Sequence, residues 1–356
     1  MTEPIRGASQ ISSDWLDAVL RRAGAIERGG VSELEVQAGE GSWSKHVKIA
    51  VRYEAGSTGE LPRHLRLKLC DTIAFDGSEV EFYTRDFADL AAAPLVRCYD
   101  ARRSADGRAY HLLLEDVSET HGDGWSIELA PEHVVPLAES VAALHAHRWS
   151  LDALAEVGAS PPCAAALERY FAHVTRGLEP LLAIRGDDLP PGAATLLREL
   201  FAEHPRLMLE RCRDRRGTCL VHGDLNPGNL LLPKTGASRV YLLDRQPFEW
   251  SLRVWLGVSD LAYLMASFWS PELRRRHEQA LLRAYHDGLR RRGVHDYDWD
   301  ALLADYRLCA VQSAYVAVEW CVLEGDRERM RWLWREQLRR ALAAVDDLGC
   351  RALWSR

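Results

Sequence analysis

Val221-His222-Gly223-Asp224-Leu225-Asn226-Pro227-Gly228-Asn229-Leu230-Leu231-Leu232 sets polar side chains between two apolar runs. Pro227 and the glycines force the chain out of regular structure while the aliphatic flanks anchor it, so the pattern predicts a rigid loop carrying Asp224 and Asn229. The amide stands five residues after the aspartate, and His222 two before it. Beyond a polar turn, Pro233-Lys234-Thr235-Gly236-Ala237-Ser238, a second strand-like run ends in another carboxylate, Asp244. Taken singly, His222 and Asp224 read as turn caps and Asp244 as a strand-end acid. Three oxygen donors at these distances together point to a site.

Working outward, the two sides of this segment differ in texture. Residues 131–148, 163–177, 192–211, 254–268, 272–291, 299–323 and 327–348 carry helical periodicity, with Pro131 suited to a first turn. Upstream of Asp116 the pattern is mostly extended: strands are expected at 31–37, 46–53, 65–70, 95–99 and 110–114. Ser12-Ser13-Asp14 offers caps to a first helix over 15–23 that stops at Gly24, and one further helix is expected over 78–90. The expectation is an α+β chain, with a β-rich lobe over residues 1–115 and a helical lobe with a small hairpin over 116–356.

Composition narrows the partners. The 356 residues carry 45 basic and 52 acidic side chains, a formal charge of −7, so no overall basic field holds nucleic acid or an anionic membrane. Eight cysteines lie scattered with neither Cys-x-x-Cys pairs nor zinc spacing, as in a reducing, cytoplasmic setting. The first thirty residues lack a signal pattern, and no run approaches the about 18 to 20 apolar residues of a membrane span.

The spacing His222-x-Asp224-x-x-x-x-Asn229 matches the kinase catalytic-loop pattern, in which the aspartate takes the acceptor hydroxyl proton and the asparagine ligates magnesium. With Asp244 downstream, the chain resembles the aminoglycoside phosphotransferase and choline kinase superfamily, small-molecule relatives of protein kinases. The ecdysteroid kinase-like branch is resembled at Leu144-His145-Ala146-x-x-Trp149, at Asp244-x-Gln246 and at Glu79-Val80-x-Phe82-Tyr83. The likeness runs from about residue 31 onward and departs at Arg245, where that branch usually has an aromatic residue.

The resemblance implies a two-lobed protein-kinase-like fold and an ATP-dependent transfer of phosphate to a hydroxyl of a small molecule. It makes Asp224 the base and Asn229 and Asp244 the Mg2+ ligands. Lys68, oriented by Glu79, would steady the α- and β-phosphates. Gly39-Glu40-Gly41-Ser42 would lie over the β- and γ-phosphates, and the backbone near Glu115 and Val117 would take adenine. Asp260 would brace the catalytic loop.

The residues themselves leave alternatives at several of these positions. In His64-Leu65-Arg66-Leu67-Lys68-Leu69-Cys70 the leucines share one strand face, which sends Lys68 to the other with Arg66 its cationic rival. A strand lysine is commonly a solvated edge charge. Yet Lys45, Lys48, Lys68 and Lys234 are the sole lysines among the 45 basic residues, and a helix with Glu79 follows Lys68. Glu79 and Asp260 also read as helix-start acids, and the Gly39 segment as an ordinary hairpin turn. His145 and His147 read as packing or capping residues. The twelve tryptophans read as packing, with Trp250, Trp255 and Trp269 placed for a substrate wall. By the resemblance, the acceptor walls would come from 154–217 and the helices after Trp269, which carry acids, among them Asp187, Asp188 and Glu210, and many arginines. A metal-dependent hydrolase would use His222, Asp224 and Asp244 and leave Lys68 and Glu79 idle; a catalytically silent nucleotide or partner-binding module would lack a group.

Overall fold

Strict alternation at Leu65, Leu67 and Leu69 and at Val47, Ile49 and Val51 builds the sheet of the first unit, because period-two apolar residues bury one face of a pleated strand. The structure, a computed structural model, describes residues 3–40, 44–71, 78–184, 189–236, 238–245 and 251–354. Five antiparallel strands lie in the order β1-β2-β3-β5-β4: β1 Val31–Glu40, β2 Lys45–Tyr53, β3 His64–Cys70, β4 Cys98–Arg103 and β5 Tyr110–Glu115. Val47, Leu67 and Leu113 fall in register across β2, β3 and β5. Helix α1, Ser13–Arg22, starts where Ser12 Oγ accepts from the Trp15 N–H and ends before Gly24 at φ +74°. Its Leu16, Val19 and Leu20 join the strand residues in one buried cluster, each contributing about 1.5–3 kcal/mol by burial.

The helix expected over 78–90 is shorter. One α-turn, Ser78–Glu81, passes into a π-turn, Phe82–Asp86, and stops at Phe87. The wider turn aligns residues five apart, and Phe82 meets Phe87 edge-to-face at 5.4 Å. The fourth strand begins at Cys98, three residues later than the apolar run suggests.

In the second unit the long helices include Pro131–His147, Ala193–Arg211, Pro271–Arg291, Trp299–Glu319 and Arg331–Asp347. Trp299–Glu319 is buried on nearly every turn and packs against Arg331–Asp347, Ala193–Arg211 and Val258–Tyr263. The expected helix over 254–268 is in part a strand: Val254–Leu256 pairs antiparallel with Thr218–Leu220, and the helix begins at Val258. A fully buried apolar triplet has no period to separate strand from helix. The last expected helix breaks at Met330 into Glu324–Arg329 and Arg331–Asp347.

The two units are not contiguous stretches. Met1–Gly122, Pro233–Thr235 and Tyr241–Glu249 form the first, and Asp123–Leu232, Gly236–Val240 and Trp250–Arg356 the second. Asp244 thus belongs with the sheet, where a division into 1–115 and 116–356 puts it among the helices. Among the described residues no helix is long and apolar enough to cross a membrane.

Candidate active site

Lys68 leaves β3 on the face opposite the leucines, as the alternation requires, and is nevertheless buried. Its Nζ lies 2.8 Å from Glu79 Oε2 and 2.8 Å from Asp244 Oδ1. The rival Arg66 is the more exposed cation and faces Asp116 at 3.8 Å. Glu79 sits in the turn that opens at Ser78, and its Oε2 also accepts from Tyr110 OH at 2.8 Å. Asp244 has φ +53°, a left-handed backbone that an aspartate adopts at a cost and that surrounding contacts must hold.

The two acids differ in access: the Glu79 side chain is 6% exposed and that of Asp244 40%. Burial opposes the Lys68 charge, but the Asp244 and Glu79 carboxylates override it and hold the ammonium above its ordinary range. Burial, then the Asp244 charge, push Glu79 up to about 8 against the pull of Lys68. At Asp244 burial is outweighed by Lys68, so its carboxyl lies well below the usual range.

In the second unit, the Pro-Gly turn of the quoted loop forms a single 3-10 turn, Pro227–Asn229, capped by Asn226. Asn229 Nδ2 donates to Asp224 O at 2.8 Å and to Asp224 Oδ2 at 3.0 Å, while Tyr263 OH donates to Asp224 Oδ1 at 3.0 Å. Both carboxylate oxygens are therefore oriented. Behind the loop, buried Asp260 accepts from the backbone N–H of His222 at 2.6 Å and of Gly223 at 2.8 Å. His145 bridges Asp260 Oδ2 at 2.9 Å and Tyr285 OH at 2.8 Å, so it is a linker of this network as well as a packing residue. Burial opposes the Asp260 charge, and His145 with the loop N–H groups keeps its carboxyl below the usual range.

Other expected positions fare unevenly. Gly39 lies in β1 opposite His46, and a Cβ there would meet only His46 O at 3.4 Å, so the space does not demand glycine. Gly41 and Ser42 lie outside the described residues, as do Gln246, Trp250, Asp187 and Asp188. Glu115 closes β5 with its N–H on Arg97 O at 2.8 Å, and Val117 O accepts from the N–H groups of Thr120 and His121. Trp255 and Trp269 are buried, as the packing reading of the tryptophans expects. Glu210 faces Arg206 at 3.6 Å on the exposed side of its helix.

Residue reasoning missed Tyr263, Tyr110 and Trp125. Tyr263 had a signal: three residues after Asp260 on one helix, it shares that residue's face. Trp125, 57% exposed, packs edge-to-face on Phe268 at 5.7 Å, and Phe268 on Tyr263 at 5.1 Å.

Residues 81–294, more than half of the chain, match the ecdysteroid kinase-like family. The chain belongs to this family. Among solved structures it is similar to spectinomycin phosphotransferase in complex with ADP and spectinomycin, at 11% identity over 96% of this chain and 99% of that one, with TM-score 0.53. It is also similar to the GDP complex of aminoglycoside 2'-phosphotransferase-IIIa, at 15% identity over 91% and 94% of the two chains, with TM-score 0.51. No curated protein sequence matches it significantly. Identities this low speak to fold alone, and the fold they show is the α+β, protein-kinase-like one, with a β-sheet N-terminal lobe and a helical C-terminal lobe. In this ecdysteroid kinase-like chain the matched stretch includes the loop from His222 to Asn229 and Asp244.

Proposed function

We propose that this chain is an ATP-dependent phosphotransferase that moves a γ-phosphoryl group onto a hydroxyl of a small molecule. One observation carries the reading: a buried lysine, on a strand of a lysine-poor chain, is bound at 2.8 Å to both Glu79 and Asp244. A metal-dependent hydrolase has no use for that arrangement, and a silent module has no reason to keep Asp224 oriented on both oxygens as well.

In this reading Asp224 accepts the proton of the acceptor hydroxyl as its oxygen bonds to phosphorus and the bond to the β-phosphate oxygen breaks, releasing ADP. Asn229 holds the base in place through its amide nitrogen, which turns its carbonyl oxygen away from Asp224. That oxygen and the outward carboxylate of Asp244 are hard donors suited to Mg2+. Among the described residues no cluster of three or more His, Cys, Asp or Glu forms a cage, and an ion that takes most ligands from phosphate and water requires none. When bound, Mg2+ supplies charge neutralisation at the β- and γ-phosphates. Lys68, steadied by Glu79, serves the α- and β-phosphates. No described residue accepts from the Val117 N–H, which suits it to an adenine nitrogen. Gly39, Gly41 and Ser42 complete the phosphate side of the proposal.

The exposed indole of Trp125, linked through Phe268 to the tyrosine that holds Asp224, favours an acceptor with an apolar face. Nucleic acid and membranes are not partners in this reading, and a cytoplasmic setting suits both ATP and cysteines that form no disulfide among the described residues. The test is ADP release across a panel of alcohols from aminoglycosides to alicyclic and aromatic hydroxyls. Asp224→Asn should lower kcat at least about a thousandfold with ATP still bound, consistent with loss of a base and an electrostatic group. Lys68→Met should raise the KM for ATP. Phosphate release without any acceptor, indifferent to Lys68→Met, would overturn the proposal in favour of hydrolysis.

A further inference from the structure

Arg245 is among the largest side chains shut away from solvent. Its Nη1 donates to Asp86 Oδ2 at 2.8 Å, and neither side chain has any exposure. The Arg245 carbonyl accepts from Ser78 Oγ at 3.1 Å. The residue after Asp244 is therefore tied twice to the helical segment that carries Glu79: its backbone to Ser78, one residue before Glu79, and its guanidinium to Asp86 at the end of the π-turn. The same segment also has Arg85 Nε on Asp86 Oδ1 at 3.0 Å.

Burying two full charges is an inefficient way to gain stability, because apolar side chains of similar volume commonly do as well. What a guanidinium-carboxylate contact adds is direction, since its geometry is narrow. Direction is what the neighbours need. Asp244 sits at φ +53° and must be held there, and the two acids must approach one ammonium from opposite chain segments. We propose that the Arg245–Asp86 pair is a positioning device that fixes the spacing of Asp244 and Glu79 and so keeps Lys68 bracketed between them. Its catalytic consequence rests on the phosphotransferase reading; its geometric consequence does not.

The informative variant is the double Asp86→Leu/Arg245→Met, which removes both buried charges, while the half-exposed Arg85 keeps Glu81 as its partner at 2.6 Å. Asp86→Asn alone strands a buried cation and will mainly report folding. The double variant should melt close to the wild type but lose at least tenfold in kcat and require several-fold more Mg2+ for half-maximal rate. Arg245→Lys, which keeps the charge without the planar guanidinium, should retain part of the activity that the double variant loses. Because the chain has four lysines, 15N-lysine NMR offers an activity-free reading. Lys68, assigned by its loss in Lys68→Met, should show a protected ammonium in the wild type and lose that protection in the folded double variant. A folded double variant with an unchanged Lys68 signal overturns the proposal, as does one with wild-type kcat and Mg2+ dependence. A wild-type protein that transfers no phosphate sinks the phosphotransferase reading instead, and the lysine signal still decides the positioning role.

Discussion

Asp260 shows what a single buried charge does when its partners are complete. Two loop N–H groups and the His145 ring converge on its oxygens at 2.6 to 2.9 Å. Asp260→Asn keeps the shape but turns an NH2 toward donors, leaving buried groups unpaired at about 2–4 kcal/mol. Urea unfolding should register that loss, and kcat should fall while ATP affinity changes little, since Lys68 and Glu79 are untouched. A variant as stable as the wild type would show that the loop does not depend on this acid. Lys68 was legible beforehand because alternation fixes a strand face and lysine is scarce. His145 was not, because its partners lie 115 and 140 residues away.

At the scale of elements, Gly177 lets the chain after Ala164–Thr175 lie directly on Trp299–Glu319. A Cβ there would fall 1.9 Å from Val318 O. Its own φ is ordinary, so the constraint is steric. Gly177→Ala should destabilise by about 1–3 kcal/mol, read as a lower Tm. The contact between Ala193–Arg211 and Trp299–Glu319 carries a pH term. His204 bonds Tyr315 OH and Leu308 O, both at 2.9 Å, and burial pushes its imidazole down to about 4 despite the Leu308 carbonyl. Between pH 6.5 and 4 the unfolded chain binds the proton and the folded one does not. Stability should fall by up to about 3 kcal/mol as pH drops through that window. In His204→Gln that part of the slope should vanish from urea midpoints; its persistence would assign the acid sensitivity elsewhere. Element types were legible wherever a segment was long and periodic, and illegible at 254–256, where uniform burial erased the period.

For the molecule as a whole, the eight cysteines form no disulfide among the described residues, so covalent cross-links contribute nothing to its stability. Reductant should leave Tm unchanged. Cys163 alone among the cysteines is exposed, and burial pushes Cys98 and Cys321 up to about 12 and Cys350 up to about 11. A thiol reagent at pH 8 should therefore titrate Cys163 quickly and the buried set only on unfolding. Several fast thiols in the native protein would contradict this packing.

The order of the five sheet strands and of the long helices, the loop bearing Asp224 and Asn229 and the face from which Lys68 leaves its strand were determined by the amino-acid sequence itself, because turn chemistry and side-chain period act over a few neighbouring residues. Tertiary structure decided that Asp244 returns to the sheet's unit, that Asp86 meets Arg245 across 159 positions, that Trp255 is buried while Trp125 is exposed, and that Tyr263 holds the loop aspartate. Partner choice for a buried polar group depends on which distant segments the core brings together, and no local preference encodes that.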